Sequence, residues 1–246
     1  MIDLRDYFLN RFLYFTGAIT FKWYNGIATI LMVQSVIMGV SGELIVIWYS
    51  ANVLTVKDSL LWMKYNTVFG DILVRTHKLT VNVAFAVVFF HMFKGISTWA
   101  GAGSRVAIWK SGMGILICMY GASYAGCILP WNVLSPTLYT MIQTILDTYV
   151  GGWAVLILLG GDRLVNLVLE RTLVAHILFC LVGVGFVIAH IRFIHFNNSS
   201  INKYYTWSKA ERPLWLPNEL VKELYIMYFY FFFFFIFSLQ KIHDFW

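Results

Sequence analysis

Apolar residues in this chain gather into runs of about 20, separated by short polar connections, instead of alternating at a period of two or tracing one narrow helical stripe. A hydrocarbon layer about 30 Å thick takes about 20 helical residues to cross. The pattern therefore predicts crossing helices over 26–48, 75–98, 110–130, 172–194 and 222–240. Residues 1–22 differ, mixing Phe, Tyr and Leu with Arg5, Arg11 and Lys22, as in an amphipathic helix lying on a membrane surface. Between the third and fourth runs, residues 136–168 carry Gly151, Gly152, Gly160 and Gly161 among scattered charges. That stretch predicts a bent pair of shorter surface helices, with a sixth crossing at 150–168 as the alternative.

Composition agrees with a polytopic membrane protein of all-α class. Hydrophobic residues make up 60% of the chain and charged residues 12%, against about 25% charged in soluble domains. A length of 246 residues holds five or six crossings and leaves no room for a second soluble domain, so a single membrane domain over 1–246 is expected. The net charge of +6 raises the question of nucleic acid. The Lys and Arg side chains sit in the connections instead of forming one stripe, so they read as topology signals and no nucleic-acid partner is expected. Their distribution favours five crossings with the N-terminus inside. Cys118, Cys127 and Cys180 lie in apolar segments without metal-ligand spacing and read as packing residues. The opening residues Met1 to Asp6 include two acids and no small-residue cleavage pattern, so no removed signal or transit peptide is expected. The run Phe231 to Phe235 suits a T-rich genome, such as many mitochondria have.

The candidate chemistry lies inside the apolar runs. His77 and His91 are 14 residues apart, and so are His176 and His190. Fourteen residues return a helical side chain to within roughly 40° of its first face, about 21 Å further along the axis. Each of the two helices thus offers one imidazole near each side of a bilayer, and two such helices face to face supply two bis-histidine sites suited to two haems. A lone histidine in a membrane helix is more often a packed residue, but two pairs at one spacing favour ligation. With five crossings the helices run parallel, pairing His77 with His176 and His91 with His190. A sixth crossing makes them antiparallel and pairs His77 with His190 and His91 with His176.

The motifs around these histidines resemble cytochrome b of respiratory complex III, the ubiquinol–cytochrome c reductase. Trp109-x-x-Gly112 followed by Gly126-Cys-Ile-Leu-Pro-Trp131 is similar to the family's third helix, whose paired glycines let haem approach the backbone. Gly42, seven residues before Tyr49, resembles a haem-packing glycine of the first helix, with Ala28 where its partner glycine is expected. Thr148-Tyr-Val-Gly151 and Gly160-Gly161 resemble landmarks of the loop before the fourth helix, and His195 before Asn197-Asn198 resembles a quinone-site histidine. Lys222-Glu223 stands where the family has Lys-Asp; the longer Glu keeps the proton chemistry and changes its reach. Arg75 and Lys94 stand near the family's haem-propionate partners, although Lys lacks the bidentate fork of Arg.

The resemblance implies a four-helix haem-binding bundle plus a fifth membrane helix, with surface helices at the N-terminus and between spans three and four. It implies two haem b groups held by His77, His176, His91 and His190, and ubiquinone or ubiquinol as substrate. It further implies proton handling by His195 and Glu223, and cofactor contacts from Gly42, Arg75, Lys94, Gly112, Gly126 and Lys222. Such a chain acts as the electron-transfer subunit of a dimeric complex in the mitochondrial inner membrane. Its implied partners are an iron–sulfur protein, a cytochrome c-type subunit and membrane lipid. The family's Pro-Glu-Trp-Tyr segment is absent here, which implies either a truncated product or, as the favoured expectation, a split form with a second membrane polypeptide carrying the C-terminal part. Two other readings are a dihaem anchor of another quinone-linked dehydrogenase and a non-redox transporter with packed histidines. The Leu-Pro-Trp motif and the glycine register disfavour the first; a visible spectrum separates the second.

Overall fold

The computed structural model describes residues 26–97, 105–161 and 166–196, with side chains of the last segment at 167–194, and also residues 224, 225, 227–230, 232 and 236. The described elements are α1 (Ile27–Val46), α2 (Val56–Asn66), α3 (Gly70–Ser97), α4 (Val106–Ile128), α5 (Ser135–Tyr149), α6 (Gly152–Ala154) running into a π-helical stretch (Val155–Leu159), and α7 (Asn166–Phe196). Among the described residues, four helices have the length and apolarity to cross a membrane: Ile27–Val46, Gly70–Ser97, Val106–Ile128 and Leu167–Ile194. They match the first four apolar runs, with α3 beginning five residues earlier than the hydropathy suggests. The protein is an all-α integral membrane protein.

The bundle is built from two tightly packed helix pairs, α1 with α3 and α4 with α7, while α3 and α4 touch only slightly. On α1 the buried positions are Ile27, Gln34 and Ser41, and on α4 they include Ser111, Cys118 and Ala125. Each set repeats every seven residues, the spacing of a left-handed seam. Within such a seam the roughly 40° drift of a straight helix over two heptads is taken up by the supercoil. Small residues allow close approach where no hydrophobic force drives helices together. On α4, a Cβ at Gly114 would lie 2.7 Å from the Phe186 ring and one at Gly121 would lie 2.8 Å from Phe179, so α7 lays both rings directly on the α4 backbone. The opposite face of α7, with Leu178, Leu181, Val184 and Ile188, is exposed and apolar, as a lipid-facing surface should be.

Helix α2 was not apparent from hydropathy, because its composition is balanced between polar and apolar residues. It forms locally through Asn52, whose Oδ1 accepts from the Leu54 amide at 2.9 Å, and it buries Val56 and Met63 completely. The corner into α3 is closed by Gly70, where a Cβ would sit 2.0 Å from the Met63 carbonyl oxygen. Among the described residues, the region after α4 is a pair of short helices, neither long and apolar enough to cross a membrane. Its apolar π-helical stretch ends at Gly160 and Gly161, with φ of 92° and 122°, values that side chains rarely adopt. Tyr139, wholly buried on α5, donates to the Gly161 carbonyl at 2.6 Å and pins that turn. Arg171 also donates to the carbonyls of Leu156 and Ile157.

Two tyrosines tie the layers together. The Tyr49 hydroxyl, just past α1, donates to the Leu129 carbonyl at the end of α4 at 2.8 Å. Burial raises the Tyr49 phenol far above its ordinary range, which keeps it a donor. In the predicted fifth run, the described residues are helical, and Gln34 of α1 donates from Nε2 to the Tyr230 hydroxyl at 2.7 Å. The predicted amphipathic helix over 1–22 lies outside the described residues.

Candidate functional site

Helices α3 and α7 run parallel and bring the four histidines together in two pairs. His77 and His176 have ring centres 6.4 Å apart with planes at 65°, and His91 and His190 have ring centres 6.3 Å apart with planes at 67°. All four imidazoles are half-buried. Of the two arrangements left open by the sequence, this is the parallel one. Two imidazoles that share a metal at about 2 Å from each coordinating nitrogen, itself about 1.2 Å from its ring centre, stand about 6.4 Å apart. Both pairs therefore have the separation of axial ligands on opposite sides of one metal.

The neighbouring helices α1 and α4 hold the rings from behind. A Cβ at Gly42 would lie 3.1 Å from His77 Cε1, one at Gly112 would lie 3.3 Å from His190 Cε1, and one at Gly126 would lie 3.1 Å from His176 Cε1. Each glycine thus makes a seat for an imidazole. Ala28, two heptads before Gly42, stands at the corresponding register position opposite His91. Partners for Nδ1 come from the same helices: Ser41 Oγ lies 3.0 Å from His77 Nδ1, Ser111 Oγ lies 2.9 Å from His190 Nδ1, and the Ala122 carbonyl lies 2.7 Å from His176 Nδ1. With Nδ1 occupied in these three rings, Nε2 is left for a ligand. Sequence reading missed both serines. Their only signal was their position immediately before two of the glycines already singled out.

Between the two pairs, the midplane is filled by protein. Gln34, Ala84 and Cys118 are buried there, and Gly183 packs against Cys118 with 3.3 Å between its would-be Cβ and the cysteine Cβ. At the foot of α3, Arg75 is ion-paired with Asp71, whose other carboxylate oxygen lies 3.8 Å from Lys64 Nζ. Lys94 is half-buried one turn beyond His91. His195 closes α7, but its side chain lies outside the described residues, as do Lys222 and Glu223.

Among the described residues no three His, Cys, Asp or Glu side chains converge as a protein-only metal site. Two imidazoles are too few for a bare ion but suffice for haem, where the porphyrin supplies four nitrogens and the protein only the axial pair. The donor set, the ring separation and the glycine seats all fit that group.

The sequence model of cytochrome b(N-terminal)/b6/petB matches residues 82–246. The chain belongs to this family. The matched region includes His91, His176 and His190, whereas His77 stands five residues before it and reaches His176 through the fold. Similar sequences include cytochrome b of Rickettsia prowazekii, 26% identical over 195 residues covering 78% of this chain and 49% of the relative. Cytochrome b of Dictyostelium citrinum is 28% identical over 210 residues, covering 84% of this chain and 53% of the relative. The chain therefore spans about half the length of these relatives. Its fold is similar to a chain of a hyperthermophilic respiratory Complex III, with a TM-score of 0.79 and 22% identity over 98% of this chain and 68% of the other.

Proposed function

We propose that this chain is a dihaem b electron-transfer subunit of a quinol–cytochrome c oxidoreductase. His77 and His176 would hold one haem, and His91 and His190 the other. The observation that carries the reading is the pair of imidazole couples at 6.4 and 6.3 Å between the same two parallel helices. Fourteen residues of helix separate the couples by about 21 Å, so the chain holds one near each surface of the membrane. When bound, each haem supplies a one-electron centre whose potential follows its axial ligands and their hydrogen bonds. The protein's part is to fix the imidazoles, to exclude water with apolar helix faces and to cover the midplane between the couples.

Electrons arriving at one surface from quinol oxidation pass to the other, where quinone is reduced and protons are taken up. His195, at the end of α7 beyond His190, and Glu223, at the start of the fifth run, deliver protons there, and Lys222 neutralises charge beside them. Gly42, Gly112 and Gly126 seat the imidazoles. Lys94 and Arg75 pair with haem carboxylates, the latter in competition with Asp71. Ubiquinone as the quinone, an iron–sulfur protein, a cytochrome c-type subunit and a second membrane polypeptide as partners, a dimeric assembly and the mitochondrial inner membrane all belong to the same proposal.

Low-spin, six-coordinate haem at two per chain is expected from the visible and EPR spectra of the purified protein. High-spin signals, or haem near zero in freshly purified protein, contradict the proposal. For the quinone-reducing end, Glu223→Gln should slow reoxidation of the His91/His190 haem by quinone at least tenfold, since a positioned proton donor contributes about 10²- to 10⁴-fold. The spectra of both haems should be unchanged in that variant. Unaltered reoxidation kinetics assign Glu223 to capping the fifth helix.

A further inference from the structure

Ser41 and Ser111 are buried at 3% and 5% exposure, so water does not compete for their hydroxyls. Each hydroxyl faces two backbone carbonyls of its own helix. Ser41 Oγ lies 2.6 Å from the Ile37 oxygen and 3.2 Å from that of Met38; Ser111 Oγ lies 2.9 Å from the oxygens of both Ala107 and Ile108. A carbonyl only accepts, so each hydroxyl proton has backbone partners within reach, and the serine oxygen can accept from the imidazole. In that arrangement the hydrogen sits on Nδ1 of His77 and His190. That tautomer presents an unprotonated Nε2, whereas a serine donating to Nδ1 would have put the proton on Nε2 and blocked ligation.

The placement of the two serines is reciprocal. Two heptads before Ser41, opposite His91, α1 has Ile27; two heptads after Ser111, near His176, α4 has Ala125. Each histidine couple thus holds one hydroxyl-anchored ring, His77 in one and His190 in the other. His176 instead meets a bare carbonyl at Ala122.

Building on the dihaem reading, we propose that Ser41 and Ser111 are positioning residues, each setting the tautomer and the donor strength of one axial imidazole, one per haem. In the relay from Nδ1–H to the serine oxygen to the backbone carbonyl, each hydrogen bond polarises the next. The relay leaves Nε2 more electron-rich and favours the ferric state. Outer partners of this kind tune a metal centre through its ligands.

The test is redox titration of both haems in the purified full-length chain carrying Ser41→Ala, Ser41→Thr, Ser111→Ala or Ser111→Thr. Ser41→Ala should raise the potential of the His77/His176 haem by about fivefold in its redox equilibrium, roughly 40 mV at 59 mV per tenfold, and leave the other unmoved. Ser111→Ala should do the same at the His91/His190 haem. The threonine variants keep the hydroxyl and should keep both potentials. If an alanine variant loses its haem while its threonine counterpart keeps the haem at the wild-type potential, the positioning role also stands. Unmoved potentials, equal shifts of both haems, or threonine variants that shift as far as alanine overturn it. Ring-labelled 15N NMR reads the tautomer separately, in the reduced diamagnetic protein or in haem-free protein. Protonated Nδ1 at His77 and His190 supports the inference even if the dihaem reading fails, and protonated Nε2 overturns it.

Discussion

Replacing His91 with Leu is expected to remove one haem and leave the other at full content. His91→Leu and His190→Leu should lose the same haem, and the double variant should lose nothing further. The reason is geometric: the two rings face each other at 6.3 Å, and each is about 21 Å of helix from the other couple. A six-coordinate haem deprived of one axial imidazole becomes five-coordinate and weakly held. The double variant is the stringent measurement, read as haem per protein with a difference spectrum. Under the alternative pairing, His91 and His190 would belong to different haems, and the double variant would contain none. Retention of one low-spin haem in the double variant therefore supports the pairing, and loss of both refutes it.

Gly126→Val is expected to lose the His77/His176 haem, or turn it high-spin, while the His91/His190 haem keeps its spectrum. Glycine to alanine in a helix gains about 1 kcal/mol in propensity, so a mild clash could be hidden. At Gly126 the first added carbon already lies 3.1 Å from His176 Cε1, and the ring is held by the Ala122 carbonyl at 2.7 Å. Valine adds two further carbons to that contact, and the imidazole must turn off its axis. Gly42→Val should affect the same haem through His77, and Gly112→Val the other through His190. Haem stoichiometry and the low-spin EPR signals measure all three. If Gly126→Val binds both haems with unchanged signals, the imidazole has slack and the glycine seat plays no part in ligation.

Much of the membrane-helix arrangement was readable along the chain. The runs over 26–48, 110–130 and 172–194 correspond to α1, α4 and α7 because burial in lipid demands apolarity on every face of a helix, a signal that survives any packing detail. The interval of 14 in both histidine helices was equally legible, since it is two heptads of the seam that Ile27, Gln34 and Ser41 also follow. Less was visible for α2, whose residues lie between two apolar runs and carry no dominant period. The stretch from Val155 to Leu159 was ambiguous for the opposite reason: it is as apolar as a crossing helix, and only the left-handed turn at Gly160 and Gly161 shows where it stops.

What the sequence determined by itself was which segments are helical and apolar, and that four histidines lie in two layers, because hydropathy and helical period are properties of a single segment. Which histidine faces which was decided by tertiary structure. The answer depends on whether the chain crosses once more between α4 and α7, and that turns on a few backbone angles in a glycine-rich connection. The placement of Ser41 and Ser111 beside the imidazoles was decided there as well. A serine in an apolar helix has many possible partners, its own carbonyls among them, and only the antiparallel seating of α1 on α3 and of α4 on α7 brings each hydroxyl to within about 3 Å of an imidazole nitrogen on another helix.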